Sequence, residues 1–528
     1  MVRAALLIAL LLAAQPVAAV TLTILHTSDL HGRVHPVDAL ADGDLGEGLA
    51  RVAATVKAIR AEGNPVLLLD SGDTIQGAPE QAFAFAGGAN AEDPIVGAMN
   101  LVGYDAMAVG NHEFDFGVLR LEASRRQSKF PWLSANTLGR GDRQAFPPYV
   151  VREIEGVRVG ILGLVTNSVP NWVSPELLSG LRFTNSVAVA RHWVPVLREE
   201  ERCDLVIVLT HQGFERDPKT GEERGGSSGD QAYALATKVP GIDMVLAGHA
   251  HIVISPRRLG EAWVSEPGRW GNTLTRFDVT LEKAEAGGGA WTVSDIRGKS
   301  LAMKKVAPDP DIVAAVAASH DAAMKVLAVK LASLETPVST RRARTEDSGV
   351  VDWLHSVQLR EGGAELSFAS VLSFEPSEWP SGPLTMREIW AFYPYENSLV
   401  TLRATAKIVR AALERSAGCV ADPEERLRDC DTLEGAEYEI DVSRPAGKRV
   451  ISLRRGGKDV ADDDVFTVAI NSYRASGGGG YPMWKRAGRL REKGNLRQML
   501  IADARAKKRL KLEPTGNWAL TKTGAGRP

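Results

Sequence analysis

Five short clusters of Asp, His and Asn carry the chemistry open to this chain. They are Asp29-Leu30-His31, Gly72-Asp73, Gly110-Asn111-His112-Glu113-Phe114-Asp115, Thr210-His211 and Gly248-His249-Ala250-His251. Their side chains offer carboxylate, amide and imidazole donors and no thiolate. That set suits Zn, Mn, Fe or Co in a reactive site better than a closed structural zinc. The donors Asp29, His31, Asp73, Asn111, His211, His249 and His251 fit two divalent metal ions when one carboxylate is shared, and Asp73 is the natural bridge. Metals about 3.5–4 Å apart clamp an in-line displacement at phosphorus and turn a bridging water into the attacking hydroxide, so no protein nucleophile is needed. His112 and Asp115 add an imidazole that a nearby carboxylate can orient, the arrangement of an acid–base pair. A single Asp-x-His is ordinarily a cap or a solvated turn. Five such clusters, each closing an apolar run, call for another explanation. The remaining histidines, His26, His35, His192, His320 and His355, read as structural or surface residues.

The elements that must position these groups follow one pattern from residue 20 to about 300: an apolar run, a polar loop, then a helical segment. The runs are 21–25, 66–69, 106–109, 157–165, 205–209 and 244–247. Near-continuous apolar strands alternating with helices such as 49–62 predict an α/β fold whose sheet is covered on both faces. In such sheets functional groups collect beyond the carboxyl ends of strands, where all five clusters fall. Asp29 and His31, and likewise His249 and His251, point to one side if extended geometry continues past the strand. Gly72 and Gly110 permit the tight bends beside Asp73 and Asn111. The polar loop 214–230 follows His211 directly and reads either as a border of the site or, slightly favoured, as a solvated insertion. Residues 311–330 read as one Ala-rich amphipathic helix bridging to a second α/β segment, with a helix at 404–416 and a strand at 466–470.

A chain of 528 residues calls for more than one domain. The reading divides it into 20–305, a linker helix at 306–332, a smaller domain at 333–520 and a frayed tail at 521–528. Hydrophobic residues make up 44% and charged residues 24%, an ordinary globular balance. A net charge of −2 gives no footprint for a nucleic-acid polymer or an anionic membrane, so an anionic substrate must be attracted locally. Residues 1–19 join one arginine, a short apolar core and small residues before Val20, the pattern of a secretory signal peptide and too short an apolar run to span a membrane. With no cysteine near that cleavage site, no stable membrane anchor is expected. Cys203 reads as a buried thiol, whereas Cys419 and Cys430 flank an acidic loop and can close a disulfide in an oxidising, periplasmic or secreted setting.

The blocks TSDLHG, SGDTIQG, GNHEFD, LTHQG and AGHAH, in this order, resemble the five motifs of the calcineurin-like metallophosphoesterases. More narrowly the chain resembles the 5′-nucleotidase family, which includes secreted UDP-sugar hydrolases and 2′,3′-cyclic-nucleotide phosphodiesterase/3′-nucleotidases. The resemblance implies an N-terminal calcineurin-like β-sandwich flanked by helices, a helical linker and a smaller C-terminal α/β domain. It implies one metal on Asp29, His31, Asp73 and His251, and another on Asp73, Asn111, His211 and His249. It also implies that His112, paired with Asp115, stabilises the transition state or assists the leaving group.

In the C-terminal half, YPYENSL and NSYRASGGGGYP resemble the two loops that sandwich a nucleobase, with Tyr395 and Tyr473 as the matching rings. Such stacking contributes on the order of 1–3 kcal/mol per base. Two departures stand out. FASVLSFEPSEWPSGPLT lacks the family's glycine-rich loop with its arginine, and Gly479 stands where these enzymes commonly carry an acid suited to ribose hydroxyls. Both lean toward the cyclic-phosphodiesterase/3′-nucleotidase branch over a plain 5′-nucleotidase. Arg474 reads equally as a phosphate or base contact and as an exposed surface residue. A thiosulfohydrolase of the same fold and a non-catalytic periplasmic nucleotide-binding protein are the alternatives.

Overall fold

The computed structural model describes residues 18–521 apart from 42, 89–90, 225–228, 284–289, 374 and 423–426. The expected leader lies outside the described residues except for Ala18 and Ala19, which begin the first strand, and 522–528 lie outside as well.

The N-terminal half is built on two six-stranded sheets. One runs in the order Trp291–Ala302, Thr273–Lys283, Ala18–Thr27, Val66–Asp70, Ala106–Ala108, Trp132–Leu133, with the last four strands mutually parallel. The other runs Val253–Leu259, Ala262–Pro267, Met244–Ala247, Leu205–His211, Val157–Val165, Tyr149–Ile154, parallel through its centre and antiparallel at both edges. Strand alternation explains the layering. Leu67 and Leu69 enter the core shared with Ile207, Leu209, Met244 and Leu246 of the other sheet. Leu68 turns the opposite way, onto Val52, Val56, Ile95 and Met99 of the covering helices. Val206, Val208 and Val245 do the same on the far side, against Ala190, Val194 and Leu235. Fully burying such a side chain contributes about 1.5–3 kcal/mol. The single doubly covered sheet suggested by the apolar runs is therefore two sheets, each with helices on one face and the other sheet on its second. Periodicity reports that both faces of a strand are dry; it does not report what dries them.

The helix Pro310–Leu327 joins the halves. Asp309 caps it through bonds to the amides of Asp311 and Ile312. Ile312 and Val316 belong to the N-terminal core, whereas Leu327 belongs to the C-terminal one. The helix stops short of residue 330 because Lys330–Leu334 is captured as a strand between Gly382–Thr385 and Arg509–Leu510. No helix among the described residues is long and apolar enough to cross a membrane.

The C-terminal half centres on a five-stranded sheet ordered Thr432–Glu434, Leu366–Ala369, Val465–Asn471, Ser398–Thr405, Gly488–Asn495. Helices Gly349–Gly362 and Leu496–Lys507 pack on one face and Ala406–Ala421 on the other. Leu399 pairs antiparallel with Asn471, so the segment entering one strand and the segment leaving the other sit at the same end of the sheet. Those segments carry Tyr395 and Tyr473.

Candidate metal centre

Because the central strands of each sheet are parallel, their carboxyl ends open at one rim of the sandwich. Asp29 and His31 follow Ala18–Thr27, Asp73 follows Val66–Asp70, and Asn111 follows Ala106–Ala108. From the facing sheet His211 ends its own strand, and His249 and His251 follow Met244–Ala247. The donor atoms fall into two groups, each within 4.8 Å of one another: Asp29, His31, Asp73 and His251, and Asp73, His211 and His249. Asp73 belongs to both. All seven predicted donors are buried or nearly so.

The local backbone differs from the expected continuation of the strands. Asp29, His31, Asp73, His249 and His251 adopt left-handed φ values of 53°, 49°, 57°, 80° and 62°. Alternation therefore does not place Asp29 beside His31, or His249 beside His251. Left-handed residues are costly in non-glycine chains and cluster at functional sites, where surrounding contacts hold them. Here the holding is visible. The amides of Asp29, His31 and Gly32 donate to the carbonyls of Gly72, Asp73 and Thr74, stitching the first ligand loop to the second. Gly72, at φ 93°, and Gly110 let these loops touch: a Cβ on Gly72 would lie 2.6 Å from Gly110 N, and one on Gly110 would lie 2.3 Å from Asp73 Oδ1.

Glu113 holds this crossing together. Its buried carboxylate accepts the amides of Asp73 at 2.9 Å, Thr74 at 2.6 Å, Ile75 at 3.2 Å and Gly110 at 2.6 Å. Sequence reasoning passed over it, although it lies inside GNHEFD between two residues that were singled out. Ser28 Oγ donates to Asp29 Oδ2 at 2.5 Å, and His249 N donates to the same oxygen at 3.0 Å.

The imidazoles are oriented by carbonyls, which can only accept. His31 Nδ1 donates to Gln76 O at 2.9 Å and His211 Nδ1 to Ser71 O at 2.7 Å, so Nε2 of each faces the cluster. His31 Nε2 lies 3.0 Å from His251 Nε2, which is 3.2 Å from Asp29 Oδ1. Burial lowers His31 to about 3 and His249 to about 4, leaving neutral imidazoles, the form that binds metals. At His211 burial also disfavours the cation, but the Asp73 carboxylate 2.9 Å away outweighs it and raises the ring to about 10. Asn111 Oδ1, Asp29 Oδ1 and His211 Nε2 are buried without a well-formed hydrogen bond. Orphaned polar atoms converging from two sheets are what a cation would satisfy. The oxygen and imidazole set fits two divalent ions.

His112 opens a short helical turn at the rim, its amide bonded to Asp73 Oδ1 at 2.8 Å. Its Nδ1 bonds Asp115 Oδ2 at 2.7 Å, and its Nε2 lies 4.0 Å from Asp73 Oδ2. Burial works against its charge, yet Asp115 and Asp73 push it up to about 10. Of the two readings of the loop 214–230, its end at Asp230 fits the one in which it borders the cluster. Asp230 accepts the Gly213 amide and comes within 4.0 Å of His249 Nε2.

A cleft of about 1640 Å³ runs from His31, Asp73, Asn111, His112, His249 and His251 to Tyr395 and Tyr473 on the C-terminal half. Arg474 does not face a substrate from there. It is buried, bonded to both oxygens of Asp431 and to Asp429. Of the other histidines, His26 bonds Ser71, His320 bonds Glu80, and His355 bonds Ser367 and Thr432, while His192 is exposed. Cys203 is buried, and Cys419 and Cys430 are joined.

Comparison with known proteins agrees with this architecture. Residues 22–253 match the calcineurin-like phosphoesterase model and residues 325–486 the 5′-nucleotidase C-terminal domain model. The chain is 28% identical to a 2′,3′-cyclic-nucleotide 2′-phosphodiesterase/3′-nucleotidase of Salmonella typhimurium, over 90% of this chain and 84% of that protein. It is 27% identical to the trifunctional nucleotide phosphoesterase YfkN of Bacillus subtilis over 88% of its length, spanning 36% of that longer protein. A 5′-nucleotidase candidate from Staphylococcus aureus shares the fold, with a TM-score of 0.85 at 23% identity over 95% of this chain and all of that one. With a calcineurin-like phosphoesterase domain followed by a 5′-nucleotidase C-terminal domain, the chain belongs to the 5′-nucleotidase family and is a metal-dependent phosphoester hydrolase.

Proposed function

We propose that the chain is an exported, dinuclear hydrolase of nucleotide phosphoesters, and that its preferred substrates are 2′,3′-cyclic nucleotides and 3′-nucleotides. One observation carries the reading: a single cleft joins the two-part Asp/His cluster to the two tyrosine-bearing loops. Asp29, His31, Asp73 and His251 would hold one cation, and Asp73, Asn111, His211 and His249 the other. Bound there, the pair would supply Lewis acidity toward phosphoryl oxygens and activate water as the nucleophile.

The protein's own groups do the rest. Tyr395 and Tyr473 receive the base and so fix the distance from base to reacting phosphorus. His112, kept cationic by Asp115, presents Nε2 toward the cluster, where it hydrogen-bonds a phosphoryl or leaving oxygen as charge develops. Asp73 Oδ1 holds the His112 amide, so the bridging carboxylate and the acid move as one unit.

Preference for the cyclic and 3′ esters rests on the missing arginine loop before Gly382–Thr385 and on Gly479, and similarity to the Salmonella enzyme supports it. Export is supported by the leader pattern of residues 1–19 and by the Cys419–Cys430 disulfide. The same reading places the metallophosphoesterase domain at 20–305, the linker at 306–332 and the nucleotide domain at 333–520. Hydrolysis of 2′,3′-cyclic AMP, 3′-AMP, 5′-AMP and UDP-glucose, with and without chelator, tests it. Chelator-sensitive turnover, fastest on the first two, is expected. Turnover of none of the four contradicts the reading, and nucleotide binding without turnover favours a non-catalytic binding protein.

A further inference from the structure

The C-terminal domain has neither the family's arginine loop nor an acid at position 479, yet its cleft is not without charge. Arg428 and Asp429 both line it. They lie in the short helical turn Leu427–Asp429, immediately before Cys430, in the loop that the Cys419–Cys430 disulfide closes. Arg428 Nη1 donates to the Tyr395 hydroxyl at 2.9 Å. It thus stands on the cleft wall beside the ring of Tyr395.

The turn is tightly held. Arg428 O accepts from Ser370 Oγ at 2.7 Å and from Arg474 Nη2. Asp429 O accepts from the Tyr481 hydroxyl at 2.9 Å, and that hydroxyl oxygen accepts the Asp431 amide at 3.1 Å. On the other side of the disulfide, Cys419 belongs to helix Ala406–Ala421, and its carbonyl accepts from Arg344 at 2.8 Å. Arg474 beside this turn is paired with Asp431 and Asp429.

Gly479 explains why an acid comes from this loop and not from its own. With φ 66°, it presses so closely on its neighbours that a Cβ would lie 1.9 Å from Arg474 Nη1 and 2.4 Å from Asp429 Oδ1. The space a side chain at 479 would enter already holds a carboxylate, that of Asp429.

The geometry points to the turn Leu427–Asp429 beside the disulfide as the nucleotide-reading element of this enzyme, with Arg428 taking a phosphate oxygen and Asp429 the ribose 5′-hydroxyl, which 2′,3′-cyclic and 3′-nucleotides both leave free. The assignment rests on the nucleotide-hydrolase reading and deepens it. Because helix Ala406–Ala421 anchors the turn through the disulfide, nucleotide recognition also depends on that bond being formed.

The test compares kcat/KM for 2′,3′-cyclic AMP and 3′-AMP with kcat/KM for bis(p-nitrophenyl) phosphate, which carries neither base nor ribose, in metal-loaded enzyme. Arg428→Ala, Asp429→Asn and the double variant Cys419→Ser/Cys430→Ser should each lower the nucleotide-to-reporter ratio at least tenfold, mainly through KM. Arg428→Lys should recover part of the loss. For Asp429→Asn the loss should vanish when inhibition by adenosine is replaced by inhibition by 5′-deoxyadenosine, which lacks the 5′-hydroxyl that 2′,3′-cyclic AMP and 3′-AMP both keep. Equal loss on both substrate classes, or an unchanged ratio in all three variants, overturns the assignment. Failure of the wild type to hydrolyse any nucleotide overturns the parent reading instead, and this one with it.

Discussion

Replacing Glu113 with Gln tests how the first loops of the Asp/His cluster are built without touching a proposed metal donor. Glu113 accepts four backbone amides: Thr74 and Ile75 on Oε1, Asp73 and Gly110 on Oε2. The amide side chain keeps the shape but turns one oxygen into an NH2 group. Whichever way it flips, two backbone donors then face a donor. The side chain is fully buried, so water cannot repair the loss. Each stranded buried donor costs about 1–3 kcal/mol, giving roughly 2–6 kcal/mol for the pair. For a domain of this size about 2 °C per kcal/mol converts that to a fall of roughly 4–12 °C in Tm. Calorimetry on metal-stripped protein measures it directly, since bound ions would mask part of the loss. Metal affinity should also fall, because the amides released belong to Asp73 and to Gly110, next to Asn111. A Tm within 1 °C of wild type, with both metals retained at wild-type affinity, would refute the argument that this carboxylate holds the loop crossing.

Three further outcomes follow from the same geometry. His112→Ala should lower kcat by roughly 10²–10⁴-fold while both metals stay bound; an unchanged kcat removes the residue from the mechanism. Tyr395→Ala or Tyr473→Ala should raise the nucleotide KM by roughly 5- to 150-fold, the equivalent of 1–3 kcal/mol of stacking. A fall in kcat with KM unchanged would contradict a base-binding role. Asp352 offers a pH test remote from the metals. Burial, with Asp347 and Glu434 nearby, raises its carboxyl to about 7 although it accepts the Thr515 amide. A folded pKa above the unfolded value of about 4 means stability is lost as pH rises between the two. Thermal melts should therefore show Asp352→Asn gaining on wild type from about pH 4 to about pH 7, and parallel curves would contradict the assignment.

Much of the site was legible because its donors follow strands whose apolar runs are unmistakable, and parallel strands bring their ends to one rim. Donor types alone gave seven donors for two ions with Asp73 shared, whereas the division of the other six came from the family resemblance. What could not be read was the backbone between the strands. Spacing of i, i+2 suggested extended chain at Asp29–His31 and His249–His251, whereas those residues turn left-handed to reach the cluster. Alternation says nothing about loops, where non-local hydrogen bonds decide conformation. Glu113, Asp230, Arg428 and Asp429 were missed for that reason, since each does its work through a partner distant in sequence. Arg474, equally readable as a ligand contact or a surface residue, became a buried partner of Asp431 because two loops 43 residues apart meet there. The sandwich escaped periodicity as well: a dry strand face looks the same in sequence whether a helix or a second sheet covers it.

The claim at the centre of this account is a pair of divalent ions sharing Asp73 and hydrolysing nucleotide phosphoesters. Its most direct measurement adds Mn²⁺ stepwise to metal-stripped enzyme while following both bound metal and 2′,3′-cyclic AMP hydrolysis, for wild type and Asp73→Ala. The account predicts that wild-type activity climbs to a plateau at two equivalents and that Asp73→Ala holds neither ion tightly and stays inactive. Two ions retained by Asp73→Ala, or full turnover by wild type with one ion or none, would contradict it.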